Sequence, residues 1–509
     1  MNILLKRSVQ RALLLVTSFV IQIAVLVFFI FQYKGNFLHF YLGSLTLSIA
    51  IVFVIINNKS NPSYKIAWII PVLIFPIFGG LFYLLYGGNK LSTREKLKMV
   101  IQNIKMTNSL KQDDKIIENL GKENIYAQNQ SKYILDYAKC PVYNNTETTY
   151  FKIGEEKYEA LLKELEKAQK FIFLEYFIIQ EGKMFNSILE ILERKAKEGV
   201  DVRLIYDDVG CLVTLPHNYH KEIEKKGIKC RVFNPIKPFF TRRLNNRDHR
   251  KIAVIDGNVG FTGGINLADE YINEYEKHGY WKDAAIMLKG DAVWSLTIMF
   301  LSMWDYIDNI DENYLRFKPS AEKRYTSKGY VQPFDDSPLV NEPIGETVYL
   351  NLINKAKKYI YINTPYLIID NEMATALKIA SKSGVDVKIV TPYIPDKVFV
   401  HAVTKSYYES FIKDNIEIYE FTPGFMHAKT FVVDDEYAVV GSINLDFRSL
   451  YLHYECGVWL YNTDSIKDIK EDYLKTLEKC HKVTIQECKN TSKIKKFFRL
   501  VIRLFAPLL

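Results

Sequence analysis

HRKIAVID (249–256) and HAKTFVVD (427–434) write one pattern twice, H-x-K-x4-D, and the architecture of the chain follows from that repetition. Each copy ends in a run of apolar, largely β-branched residues, 252–255 and 430–433, which reads as a buried strand. Residues two apart on a strand point the same way, so His249 with Lys251, and His427 with Lys429, are expected to share a face. Asp256 and Asp434 complete the catalytic motif from the opposite face, in an orienting or structural role rather than in attack on phosphate. Two imidazoles, each with an ammonium group two residues on, suit phosphodiester chemistry without a metal. One imidazole attacks phosphorus, the other protonates the leaving oxygen, and the lysines stabilise charge on the non-bridging oxygens.

A lone histidine beside a strand is usually structural, and Gly-x-x-Asn is usually a turn. Recurrence of the whole set at matching offsets favours a site. GGINL (263–267) and GSINL (441–445) follow their histidines at the same distance. Their small residues let backbone approach a ligand, and Asn266 and Asn444 can donate to a phosphate oxygen. Farther on, WKD (281–283) aligns with HYE (453–455), each leading into an apolar strand. An acid there, Asp283 or Glu455, could hold the Nδ1–H of a catalytic histidine and fix its tautomer.

The repeat extends upstream. AQKFIFLEYFI (168–178) resembles AKKYIYINTPYL (356–367), and GVDVR (199–203) resembles GVDVK (384–388). Helices are expected over 158–169 and 344–357, then over 184–197 and 371–382, alternating with these strands. That alternation predicts an α/β fold with mainly parallel or mixed sheets. Two pseudo-symmetric halves, 136–330 and 331–483, would face each other and form one shared active site from a His–Lys pair of each.

The doubled motif resembles the signature of the phospholipase D superfamily and, within it, the bacterial cardiolipin synthases. The segments carrying the resemblance are NNRDHRKIAVIDG (245–257), FTGGINLADEY (261–271), GFMHAKTFVVDD (424–435), VVGSINLDFRS (439–449) and AWIIPVLIFPIFGGLFYLLYG (67–87). The resemblance implies that His249 and His427 are nucleophile and general acid/base, and family habit favours His249 as the nucleophile. It implies that Lys251, Lys429, Asn266 and Asn444 bind phosphate and that Glu455 orients a histidine, with Asp283 as its counterpart. His453 departs from the family's frequent Asn at that position. The implied reaction is reversible phosphatidyl transfer between two phosphatidylglycerol molecules through a phosphohistidine, giving cardiolipin and glycerol, with no cofactor and no metal. A membrane-bound phospholipase D hydrolase, a phosphatidyltransferase using another acceptor alcohol, and a catalytically inactive membrane scaffold are the alternatives.

Residues 12–33 and 37–57 carry no charged side chain and are long enough to span a bilayer. A third apolar run, 66–86, is interrupted by Pro71, Pro76 and Gly79-Gly80. The N-terminal region, 1–90, is therefore expected to be a helical transmembrane region. Lys6, Arg7 and Arg11 place the N-terminus in the cytoplasm, while Lys90, Arg94, Lys96 and Lys98 ask the same for the residues after 87. Two spans with 66–86 re-entrant or interfacial satisfy both; three spans are the alternative. The expected location is the cell membrane, multi-pass, with the catalytic part on the cytoplasmic face.

Residues 91–135 read as a polar, helical connector, and 484–509 as a basic amphipathic helix suited to an anionic bilayer. The net charge of +9 suits anionic phospholipid partners, and the apolar runs make lipid a better fit than nucleic acid. None of the six cysteines stands at C-x-x-C spacing, which argues against zinc and against a disulfide framework.

Overall fold

The structure, a computed structural model, describes residues 28, 32, 37–75, 79–80, 83–84, 87, 93–235, 245–308, 310–319, 324–325, 327–340 and 342–508. The chain divides into two compact units. One comprises residues 1–90, 237–243 and 504–509; the other comprises 91–236 and 244–503.

The described part of the first unit holds helices Phe37–Ile56 and Pro62–Ile74. Asn61 caps the second helix through the Ser63 N–H, and Pro62 supplies the fixed φ that suits a first helical position. Ile51, Ile55, Trp68, Val72 and Tyr83 form its small buried cluster, with Leu508 packed against them. Much of its apolar surface remains exposed, Leu38, Phe53, Ile74 and Phe75 among it. Among the described residues no helix is long and apolar enough to cross a membrane. The run 12–33 lies almost entirely outside the described residues, and 66–86 partly so.

The second unit is built on two sheets. The first runs, in spatial order, Thr146–Phe151, Ala285–Gly290, Val259–Gly263, Lys251–Ile255, Phe171–Tyr176, Asp201–Asp207, Lys229–Phe233. The second runs Cys480–Lys482, Glu417–Phe421, Asp386–Pro392, Tyr359–Asn363, Thr430–Val433, Tyr437–Gly441, Glu455–Tyr461, Tyr330–Asp336. Read from the opposite end, the second repeats the first, with Cys480–Lys482 added at one edge. Both are mixed sheets: Phe171–Tyr176 pairs parallel with Asp201–Asp207 and antiparallel with Lys251–Ile255. Tyr359–Asn363 does the same with Asp386–Pro392 and Thr430–Val433. The central strands are buried on both faces, as their unbroken apolar runs require when helices cover a sheet.

The expected helices exist with shifted ends. Helix Gly154–Glu166 begins earlier than 158 because Glu155 and Glu156 suit the positive N-terminal end of a helix, and Phe171 is already committed to the sheet. Its partner is Ile344–Lys355, and the second pair is Lys183–Lys197 and Asn371–Lys382. Residues 93–138 form three helices, Thr93–Ser109, Asp114–Glu123 and Ile125–Ala138. These belong to the compact unit of the sheets: Gln102 donates to the Ser302 carbonyl, and Lys105 pairs with Asp305.

Candidate active site

His249 sits two residues and His427 three residues before its strand, in extended segments that cross to the other half. Asp248 bridges Tyr454 in parallel, and the His249 N–H donates to the Tyr454 carbonyl at 2.9 Å. In the pseudo-symmetric position, Gly424–Met426 pairs parallel with Tyr280–Lys282, and the His427 N–H donates to the Lys282 carbonyl at 2.7 Å. Parallel register then brings the next residues side by side: His249 with Glu455, and His427 with Asp283. The His249 Nδ1 lies 2.9 and 3.0 Å from the two Glu455 oxygens, and the His427 Nδ1 lies 2.6 Å from Asp283 Oδ2.

Each histidine of one half is thus oriented by an acid of the other. A carboxylate only accepts, so Nδ1 of each ring carries the proton and Nε2 keeps its lone pair. That exchange was not legible from spacing, which aligned the two acids without saying which histidine each serves.

Both lysines turn back to their own histidine: Lys251 Nζ donates to the His249 carbonyl, and Lys429 Nζ to the His427 carbonyl. Lys429 Nζ also lies 2.9 Å from His427 Nδ1. The four side chains are buried and feel one another's charge. Burial, then Lys251, Lys429 and His427, hold the His249 imidazole well below its ordinary value. Burial and Lys429 bring His427 down to about 4, against the pull of Asp283. Burial likewise lowers Lys251 to about 7 and Lys429 to about 8. The site is a buried cluster of two imidazoles and two ammonium groups, each imidazole backed by a carboxylate.

Asp256 and Asp434 do not join it. Both adopt positive φ, 51° and 55°, at the turn after their strand. Asp256 accepts the backbone N–H groups of Gln169, Lys170 and Phe171; Asp434 accepts those of Lys357, Lys358 and Tyr359. Each motif aspartate therefore fixes the strand behind its histidine. Asn266 is buried; it accepts from the Ile178 N–H and donates to the Tyr271 hydroxyl. Asn444 is also buried, and its amide oxygen has no hydrogen-bond partner among the described residues.

Sequence reasoning missed several participants. Ser442 donates to Glu455 Oε2 at 2.5 Å. The His453 ring lies tilted beside that of His249, centroids 5.5 Å apart, and burial drives it down to about 3, so it is neutral there. Its Nδ1 is 3.7 Å from Glu455 Oε1. His249, His453 and Glu455 place ligand atoms within 4.8 Å of one another, close enough to hold a metal ion. Glu455, however, is already engaged by His249 and Ser442. Tyr271 and Trp281 wall the His427 ring at 5.5 and 5.2 Å, and Phe177 stands edge-on to His249 at 5.0 Å.

The residues between the catalytic ones hold the halves together. Arg250 points away from His249 and forms ion pairs with Glu175 at 2.6 Å and with Asp335 of the second half at 2.9 Å. Lys282, beside Asp283, pairs with Asp472 of the second half at 2.7 Å. Such buried pairs add little net stability but are costly to break singly, so they fix register.

Comparison with known proteins agrees with this geometry. The family described as "Cardiolipin synthase, PLD-like domain" matches residues 161–289 and 349–477, and the family described as "Phospholipase_D-nuclease N-terminal" matches 46–88. An uncharacterized protein of Streptococcus mutans is 47% identical over 462 residues, covering 90% of this chain and 99% of its own length. The cardiolipin synthase of Alkalihalophilus pseudofirmus is 34% identical, covering 91% of this chain and 93% of its own. That of a Geobacillus species is 33% identical, covering 98% and 100%. The crystal structure of a phosphatidylserine synthase from Haemophilus influenzae shares the fold, with a TM-score of 0.56 at 14% identity, over 75% of this chain and 100% of that one. With both halves matched and the relatives aligned nearly end to end, the chain belongs to the cardiolipin synthase family of phospholipase D-like proteins.

Proposed function

We propose that the chain is a phosphatidyltransferase that converts two phosphatidylglycerol molecules into cardiolipin and glycerol. The observation that carries the reading is the pair of buried neutral imidazoles, each tied at Nδ1 to a carboxylate of the opposite half. His249 attacks the phosphorus of the first lipid through Nε2. The bond from phosphorus to the glycerol oxygen breaks, and His427 gives that oxygen its proton. The phosphodiester's negative charge, with Asp283, favours the imidazolium of His427 that this step needs. Neutral His427 then takes the proton of a second lipid's primary hydroxyl as that oxygen attacks the phosphohistidine. The P–N bond breaks and both histidines return to their starting state. Lys251 and Lys429 stabilise the charge on the non-bridging oxygens, assisted by Asn266 and Asn444. The assignment of His249 as nucleophile, with His427 as acid/base, is the one that the family resemblance favours.

The N-terminal unit is read as the membrane anchor, supported by its exposed apolar helices and by the family match over 46–88. Two spans with 66–86 re-entrant would put the catalytic unit on the cytoplasmic face; three spans are the alternative. Labelling of Cys488 in intact cells by a membrane-impermeant reagent would overturn the cytoplasmic placement.

The test of function is purified full-length protein with phosphatidylglycerol alone, with and without a chelator. Cardiolipin and glycerol in equal amounts, insensitive to chelator, are expected. Phosphatidic acid without cardiolipin would make the protein a hydrolase instead.

A further inference from the structure

A cavity of about 700 Å³, lined by neither His249 nor His427, lies where helix Val398–Lys413 and strand Glu417–Phe421 meet the C-terminal helix Lys493–Leu504. That last helix, KIKKFFRLVIRL, contains no acidic residue. Lys496, Arg499 and Arg503 recur at i, i+3 and i+7, which puts them on one face, and all three line the cavity. The carboxylates that share the cavity already have partners, and Lys496 is one of Glu409's. Glu420 pairs with Lys405 and accepts from Tyr408; Glu487 accepts from Thr484; Glu409 takes Lys413 and Lys496.

Among the described residues the two arginines have no carboxylate partner. Arg503 lies over the Tyr407 ring at 4.0 Å, and half-buried Arg499 has no hydrogen bond or ion pair among the described residues. The charge of Arg499 is felt inside the protein: burial, Lys405 and Arg499 lower His401 to about 4. Beside the cations runs an apolar edge. Ile494, Phe497 and Leu500 are exposed, and Phe498 meets exposed Phe399 at 6.3 Å.

We infer that this cavity is a second lipid site, in which Arg499, Arg503 and Lys496 bind the phosphate of an anionic phospholipid while its acyl chains follow Phe399 and Phe498. Guanidinium groups present paired donors that match phosphate oxygens, and an amphipathic helix sets them at the depth of a headgroup. The segment 393–397 links this cavity to the catalytic centre. Tyr393 lines the cavity, Asp396 accepts from the Tyr366 hydroxyl at 2.5 Å, and the charge of Lys397 reaches His249. The site would hold an anionic lipid beside the reaction centre, and in this it rests on the reading of the chain as a lipid enzyme.

The test counts bound lipid. Full-length protein carrying His249→Ala, which blocks turnover, is held in an uncharged detergent and titrated with phosphatidylglycerol, and occupancy is read by native mass spectrometry. Adding Arg499→Gln with Arg503→Gln should remove one tightly bound equivalent, weakening its affinity about tenfold or more. Lys493→Gln with Lys495→Gln, outside the cavity, should leave it in place. Arg499→Lys with Arg503→Lys should retain part of the binding, and melting curves check that each variant is folded. Unchanged occupancy in the double glutamine variant overturns the proposal. So does equal loading with phosphatidylcholine, or displacement by inorganic phosphate, which would make free phosphate the ligand. Failure of the wild-type protein to make cardiolipin would sink the proposed function and leave this count standing.

Discussion

Around His249 the orienting acid is Glu455, which also accepts from the Ser442 hydroxyl. Around His427 it is Asp283, one methylene shorter, steadied by the Ala284 N–H at 2.7 Å, and the position equivalent to Ser442 is Gly264. A Cβ on Gly264 would stand 2.1 Å from Asp283 Oδ1, so a serine cannot occupy that place without moving the acid. The longer acid reaches its histidine with a hydroxyl to hold it; the shorter one reaches by coming closer, which demands glycine. The halves solve one geometric task with two incompatible parts, and the pseudo-symmetry of the fold does not extend to interchangeable sites.

The comparison is tested most severely by the histidines themselves. His249→Ala and His427→Ala should each lower turnover by about 10⁴-fold or more, as loss of a nucleophile or its acid/base partner does. Only His427→Ala should accumulate a covalent phosphatidyl group, on His249, detectable by intact mass. A trapped adduct in His249→Ala instead would reverse the two roles.

The acids come next. Glu455→Gln and Asp283→Asn keep shape but lose the anion that fixes the tautomer, and each should cost about 10³- to 10⁴-fold in kcat. Because the acids act crosswise, Glu455→Gln should chiefly slow formation of the phosphohistidine, and Asp283→Asn should slow both that step and the acceptor attack that follows. Rapid-quench measurement of both steps distinguishes them; the opposite pairing would refute the exchange between halves.

Smaller effects probe the unequal supports. Gly264→Ala should cost about 10²-fold by displacing Asp283. Ser442→Gly, which removes a charge-assisted hydrogen bond without creating a clash, should cost about tenfold. Equal effects would mean that Gly264 is not sterically required.

The mildest perturbation is pH. The attacking imidazole must be neutral, so kcat/KM should rise with pH through an acid limb set by His249, well below the ordinary histidine range because the ring is buried beside Lys251 and Lys429. The lysines must be charged, so kcat/KM should fall as pH rises through about 7 to 8, where Lys251 and Lys429 lose their protons. Bound anionic lipid favours both ammonium groups, so the alkaline limb of kcat should lie higher than that of kcat/KM. Coincident limbs would show that the lysines are not the groups titrating.

How much of this was open to sequence depends on what each residue's role requires. The histidines, lysines and strands were legible because their spacing and apolar periodicity are local properties that recur in both halves. Asp283 and Glu455 were legible as acids ahead of a strand. Ser442 was visible only as a small residue in a turn, and Arg499 and Arg503 only as charges on an amphipathic helix. The helix that starts at Gly154 was misplaced by a few residues because the neighbouring strand's register, not helix preference, sets where it ends.

Sequence alone determined that this is a doubled α/β chain with a His–Lys pair in each half, because strand periodicity and motif offset are written along the backbone. Which acid serves which histidine was decided by tertiary structure. Asp248 pairs with Tyr454, and Met426 with Lys282, across the interface between the halves. One-residue parallel register then sets His249 beside Glu455 and His427 beside Asp283. Such long-range pairing is fixed by the packing of two sheets against each other and leaves no mark in local sequence.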